Sequence, residues 1–272
     1  MTREDREALS RAREILENPG LAIRLTDLVG RPIEMAVAAL PAAAARQVHR
    51  ATSAALDRAL AVALRTMDAD PEPPADWLHR IAAGAAGAGG GAFGLAGLAV
   101  ELPISTALLL RAIADHARAQ GEDLAAPEAR LQCLAVFAYG SPRAADDAAE
   151  AGYFAVRAAL ARSVAEAADW IASKGLSRAA ADRSAPALAR LLAAVSRRFG
   201  VAVSEKAAAQ LVPLLGAAGG AAVNLAFMAH YQRTAWAHFT VRRLERAHGE
   251  QAVRAAWGPP GRLPRPPVSA RR

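Results

Sequence analysis

Glu101, Arg111, Asn224, His230 and His238 are the side chains of this sequence best suited to binding or catalysis. Glu101 is the only acid among the apolar residues from Ile81 to Leu110. Asn224 is the one strongly polar residue in the middle of a second uncharged stretch, Ala207 to Ala229. His230 and His238 follow it on what reads as one long helix. Arg111 lies about two and three-quarter helical turns beyond Glu101. It also stands four residues before Asp115, the spacing of a helical ion pair. A carboxyl group in apolar surroundings has a raised pKa unless a cation pairs with it. If the two uncharged stretches pack together, Glu101, Arg111 and Asn224 converge. Such a cluster can bind a headgroup or a peptide group, or act as an acid/base with Glu101 as the candidate catalytic group. The same residues also suit a satisfied hydrogen-bond network that fixes helix register.

Other chemistries find little support. His230 and His238 lie about 80° apart around a helix, and neither an HExxH motif nor a cysteine pair is present, so no metal site is expected. There is no GxSxG. The glycines lack the Lys-Ser/Thr ending of a phosphate loop and follow no strand, so no cofactor is indicated. A nucleic-acid partner would rest on arginine count alone, and Glu245 interrupts the cluster of Arg242, Arg243 and Arg246.

The elements that must hold these residues are helices. Hydrophobic residues make up 53% of the 272, mostly alanine, and aromatics only 5%. Alanine is the best helix former, and nothing alternates over a strand length. Thr2 with Asp5 forms a capping-box pattern for a helix to about Glu17. Further helices are expected from about Pro32, from Pro41 to Met67, and from Leu102-Pro103 to Gln120, the last closed by Gly121. Then come Pro127 to Gly140, Ser141-Pro142 to Lys174, Ser184 to Phe199-Gly200, and a long helix to His248 stopped by Gly249. Residues 1–257 read as one domain, and 258–272, with five prolines, as a disordered tail. That tail supplies four of the +7 net charges, so the remainder is mildly basic. The lone Cys133 cannot form an intrachain disulfide and reads as a small buried hydrophobe. The polar N-terminus has no signal-peptide pattern, which points to the cytoplasm.

Residues 81–100, IAAGAAGAGGGAFGLAGLAV, carry no charge and seven glycines. Gly87 and Gly91, Gly90 and Gly94, and Gly216 and Gly220 are each four apart. On a helix that spacing makes a flat strip another backbone can approach closely. About twenty residues are enough to cross a bilayer, and a break at Glu101–Pro103 would make a re-entrant turn. The expectation is an all-α helical bundle with two glycine-rich, charge-free helical segments packed centrally.

The run GGGAFGLAGLAVELPISTALLLRAIADHARAQGEDL (89–124), followed by RLQCLAVFAYG (130–140), resembles the core signature of the EcsC family. A second match follows in order: GAAGGAAVN (216–224), FMAHYQ (227–232) and HFTVRRLERAHG (238–249). Glu101 stands where the family usually has aspartate. The resemblance implies a mostly helical bacterial protein whose founding member is encoded beside an ABC transporter implicated in secretion and competence. It therefore suggests membrane lipid and ABC transporter components as partners, at the inner face of the membrane. Two further readings stay open: an enzyme acting on a lipid or other apolar substrate through a buried carboxylate, and a soluble helical interaction module.

Overall fold

The computed structural model describes residues 1–18, 20–29, 32–65, 67, 94–139, 152–181, 185–210 and 216–258. No strand occurs among them. The chain begins with α1 (Arg3–Glu17), α2 (Leu21–Val29), α3 (Ile33–Ala38) and α4 (Ala42–Arg65). It continues with α5 (Gly94–Ala119), α6 (Pro127–Tyr139), α7 (Tyr153–Lys174) and α8 (Leu176–Ala181). It closes with α9 (Pro186–Gln210), α10 (Gly216–His248) and α11 (Glu250–Trp257).

The local signals act as expected at several ends. Thr2 and Asp5 form a reciprocal capping box at the start of α1. Gly121, with φ +79°, closes α5, and the amide of Glu122 donates to the Ala117 carbonyl at 3.0 Å. The left-handed turn that satisfies the helix end also swings Glu122 across towards α10. The glycine stretch before Gly94, the start expected at Ser141-Pro142, the Pro213 break and the tail beyond Gly258 lie outside the described residues.

Two local expectations give way to packing. α5 runs unbroken through Pro103, so the re-entrant turn at Glu101–Pro103 does not form. An interior proline costs about 3 kcal/mol, partly because it cannot donate to the carbonyl four residues back. That residue, Ala99, is exposed, so water can serve the carbonyl. Burial of Leu98, Leu102, Leu109, Leu110 and Ile113 outweighs the remaining cost. α9 likewise continues past Gly200 to Gln210, because its last turns bury Ala202, Val203 and Ala207 to Ala209.

Gly200 has no positive φ, and a Cβ placed there meets nothing within 4 Å. Gly200→Ala is expected to stabilise the protein by about 0.5–1 kcal/mol, since it removes unfolded-chain entropy without a clash. Urea denaturation measures this, and a lower midpoint would refute it.

α5 and α10 lie side by side at the centre, with α4 against α5 and α9 bridging α4, α6, α7 and α10. Phe137, Phe199, Phe227 and Tyr231 meet where α6, α9 and α10 join, with ring centroids 4.8–6.0 Å apart. Arg130 on α6 is fully buried. It donates to the carbonyls of Leu124 at 2.6 Å and Ala63 at 3.0 Å, tying the end of α4 to the loop before α6.

Candidate functional site: a buried ion pair beneath an apolar end

Glu101 points inward from α5. Lys206 on α9 donates to its two carboxylate oxygens at 2.9 and 3.0 Å. The side-chain amide of Asn224 on α10 donates to Oε1 at 2.9 Å. Ser105, one turn along α5, lies 3.5 Å from the ammonium group, and the Phe227 ring sits 5.0 Å from it. Glu101 is 4% exposed, Lys206 0% and Asn224 1%. Burial pushes the Glu101 carboxyl upward. The charge of Lys206 and the hydrogen bonds from Lys206, Asn224 and Ser105 outweigh it and hold the pKa below the usual value. Burial lowers the Lys206 ammonium pKa, and Glu101 opposes the drop. A general base works best with a pKa near the operating pH, and Glu101 is shifted the other way. The arrangement can lock three helices in register and keep a carboxylate off the surface.

Asn224 and Glu101 therefore meet, as their positions in the two uncharged stretches suggested. Arg111 does not join them. It is exposed and has no partner among the described residues, and Asp115 pairs with Arg118 at 2.9 Å instead. At about 100° per residue, the helix turns Arg111 away from the face that holds Glu101. The cation is Lys206, which sequence reasoning missed. Two signals mark it. Val195, Phe199, Ala202, Lys206 and Ala209 recur at helical spacing, so Lys206 occupies a core position. The chain also has 31 arginines but only two lysines, at 174 and 206. A compact ammonium on a slim stem suits a tight three-helix junction better than a planar guanidinium.

The two histidines lie deeper along α10. His230 is buried with its ring edge-on to Tyr231 at 5.1 Å. His238 is fully buried, 2.8 Å from the Tyr153 hydroxyl through Nδ1 and tilted over Tyr139 at 4.7 Å. Burial, and then the charges of Arg242 and Arg157, hold its pKa well below the usual value, so it is neutral at pH 7. Neither histidine approaches Glu101 in hydrogen bonding. No cluster of three metal-ligating side chains occurs among the described residues.

A second lock closes the far end of the α5–α10 contact. Arg242 holds the two oxygens of Glu122 at 2.9 and 3.1 Å, and Arg246 also bonds it. Burial raises the Glu122 pKa, but these two arginines bring it below the ordinary carboxyl value. Glu245 pairs with Arg157 on α7 at 2.7 Å. Asn224 and Arg242 are about 27 Å apart along α10. The helices thus run parallel, pinned at both ends.

Around the first lock lies an apolar surface. Val100 and Ile104, 69% and 52% exposed, flank Glu101 on the outer face of α5. Leu225 follows Asn224, and Met35, 69% exposed, follows Glu34. Glu34 lies close enough to Glu205, the neighbour of Lys206, to help burial push the Glu205 pKa up to about 7. Leu28 lies on α2, which packs on α9 and α10. These are the exposed large hydrophobic side chains among the described residues. Val100, Ile104 and Leu225 directly neighbour the residues of the first lock in sequence, and Met35 comes near through Glu34 and Glu205.

An all-helical bundle with a parallel helix pair, locked by a buried carboxylate–ammonium pair at one end and an arginine clamp at the other, is the class this geometry defines. The model of the EcsC protein family matches residues 25–244, and the chain belongs to that family. Both locks join the two halves of the signature: ELP to AAVN, and GEDL to VRRLER. No curated protein and no solved structure matches the chain.

Proposed function

We propose that the protein is a membrane-associated helical protein that docks on a bilayer through the end bearing Met35, Val100, Ile104, Leu225 and Leu28. The observation that carries this reading is that Val100, Ile104 and Leu225 are exposed beside residues whose carboxylate is drawn inward. A cluster of this kind on an otherwise soluble bundle marks a docking surface. By pairing Glu101 inside the bundle, Lys206 leaves the outer face of α5 uncharged from Gly94 to Leu110. Gly97–Ala119 is long and apolar enough to span a membrane, but more than half of its most apolar stretch is buried within the protein. Docking on the surface keeps that packing, whereas spanning would give it up. Such a position suits a partner in the membrane, and ABC transporter components are the class the family resemblance suggests.

Wild-type protein is expected to sediment with vesicles of phosphatidylethanolamine and phosphatidylglycerol, and to do so in high salt, since apolar contact is not screened. Replacing Met35, Val100 and Ile104 together by serine is expected to weaken binding at least tenfold. Each side chain contributes roughly 1 kcal/mol even when only partly buried in lipid. All three are exposed, so the fold is expected to persist. Protein that stays in the supernatant at every lipid concentration would exclude the reading.

A further inference from the structure

The outer face of α5 changes character along its length. At about 100° per residue, Val100, Ile104, Ala107 and Arg111 fall within about 60° of one another around the helix. Val100 and Ile104 are exposed, Ala107 is half-buried and Arg111 is exposed. The stripe is apolar for about two turns and then ends on a cation. No acid of α5 offsets that cation. Glu101, before it, is buried and paired with Lys206. Asp115, one turn beyond it, is held by Arg118 at 2.9 Å. Arg111 itself has no hydrogen-bond or ion-pair partner among the described residues. Its guanidinium is a planar fork of donors that matches two oxygens of a phosphate. The exposed apolar side chains of α2 and α3 have the opposite charge beside them. Leu28 follows Asp27 and Met35 follows Glu34, and both acids are exposed. Attraction for an anion is thus a property of the α5 stripe.

We infer that Arg111 binds the phosphate of an anionic phospholipid at the bilayer surface while Val100 and Ile104 enter the apolar layer beneath it. The inference rests on the docking reading above and adds to it the headgroup that is recognised. The spacing agrees with this placement. Arg111 lies about 10 Å beyond Ile104 along the helix axis, and the headgroup layer on each side of a bilayer is about 5–8 Å thick. Helical side chains lean towards the helix N-terminus, which is the direction of Ile104, and a long arginine stem covers the difference while its charged head stays among the headgroups. A carboxylate on a partner protein would meet the same charge. A bilayer, however, offers an apolar and an anionic layer in the order in which α5 presents their counterparts. One basic residue near an anionic surface strengthens binding about fivefold. Salt screens that contribution and leaves the apolar one.

The test is sedimentation of the full-length protein with two kinds of vesicle, phosphatidylcholine alone and phosphatidylcholine with phosphatidylglycerol in equal parts, each at low and at high salt. The wild type is expected to bind both and to prefer the anionic vesicles at low salt. Arg111→Gln is expected to weaken binding to the anionic vesicles about fivefold at low salt and to leave binding to the neutral ones unchanged. At high salt this variant and the wild type are expected to match. Arg111→Lys, which keeps the charge, is expected to retain the preference. Arg178→Gln removes an exposed arginine from α8 and is expected to behave as the wild type, which separates a sited contact from the pull of net charge. Arg111 and Arg178 are both exposed, so circular dichroism is expected to stay unchanged. Binding to neither kind of vesicle would overturn the docking reading and this inference with it. Binding to both, with the anionic preference intact in Arg111→Gln, reduced as much in Arg178→Gln, or lowered equally on neutral vesicles, would overturn this inference alone.

Discussion

Lys206→Met is expected to lower the stability of the fold by about 3–5 kcal/mol, the usual consequence of stranding one member of a buried ion pair. Its charge is what chiefly opposes the effect of burial on Glu101. Without it, Glu101 keeps the burial and retains a hydrogen bond from Asn224. The loss is expected to shrink when Glu101→Gln is added, because two neutral groups then share the site and no charge is left desolvated. The pH dependence gives a sharper signature. In the wild type the Glu101 pKa lies below its unfolded value. Its contribution is therefore full above about pH 4.5 and is lost as pH falls through the folded-state pKa. In Lys206→Met the pKa moves above the unfolded value, so the Glu101 contribution falls as pH rises through the carboxyl range. Urea denaturation at several pH values reads both effects. A double variant no more stable than Lys206→Met would show that the site is not held by charge pairing.

Glu205→Gln is expected to act in the opposite sense, stabilising the protein by about 2–3 kcal/mol at pH 8. Glu205 is buried, one of its carboxylate oxygens has no partner among the described residues, and Glu34 adds a like charge. Burial first, and then Glu34, raise its pKa to about 7. A carboxyl with a raised folded-state pKa favours the folded state least when ionised. Stability from this group is therefore full below the ordinary carboxyl pKa and is lost as pH rises towards 7. The span from 4.5 to about 7, at about 1.4 kcal/mol for each tenfold change in proton affinity, bounds the effect at about 3 kcal/mol. At pH 4 the variant and the wild type are expected to match, since the amide resembles the protonated acid in shape. Equal midpoints at pH 8 would mean that Glu205 is solvated or paired in solution. Glu205 and Lys206 are adjacent in sequence, yet about 100° of helix rotation sets Glu205 near Glu34 of α3 and Lys206 against Glu101 of α5.

Much of the architecture is visible before folding is considered. The Thr2–Asp5 box, Gly121 and Gly249 mark helix ends because they satisfy or release backbone groups locally, whatever packs nearby. The two halves of the family signature are recognisable for a related reason, since they hold the residues of one helix–helix contact. Pro103 and Gly200 mislead because a local helix-breaking cost of 1–3 kcal/mol is smaller than the burial gained by continuing the helix. Glu101 and Asn224 could be matched as polar residues in uncharged stretches. Arg111 and Lys206 could not be told apart as partners by type alone.

Residue types and periodicity are thus sufficient for the helical class, several helix boundaries and the isolation of Glu101 among apolar neighbours. They act over one or two turns, and the chemistry of a turn does not depend on distant packing. The partner of Glu101 and the approach of Glu34 to Glu205 exist only in the assembled bundle. Each depends on the rotation of one helix about its axis relative to another, set by close packing of side chains many residues apart. That rotation placed Lys206 rather than Arg111 against the carboxylate.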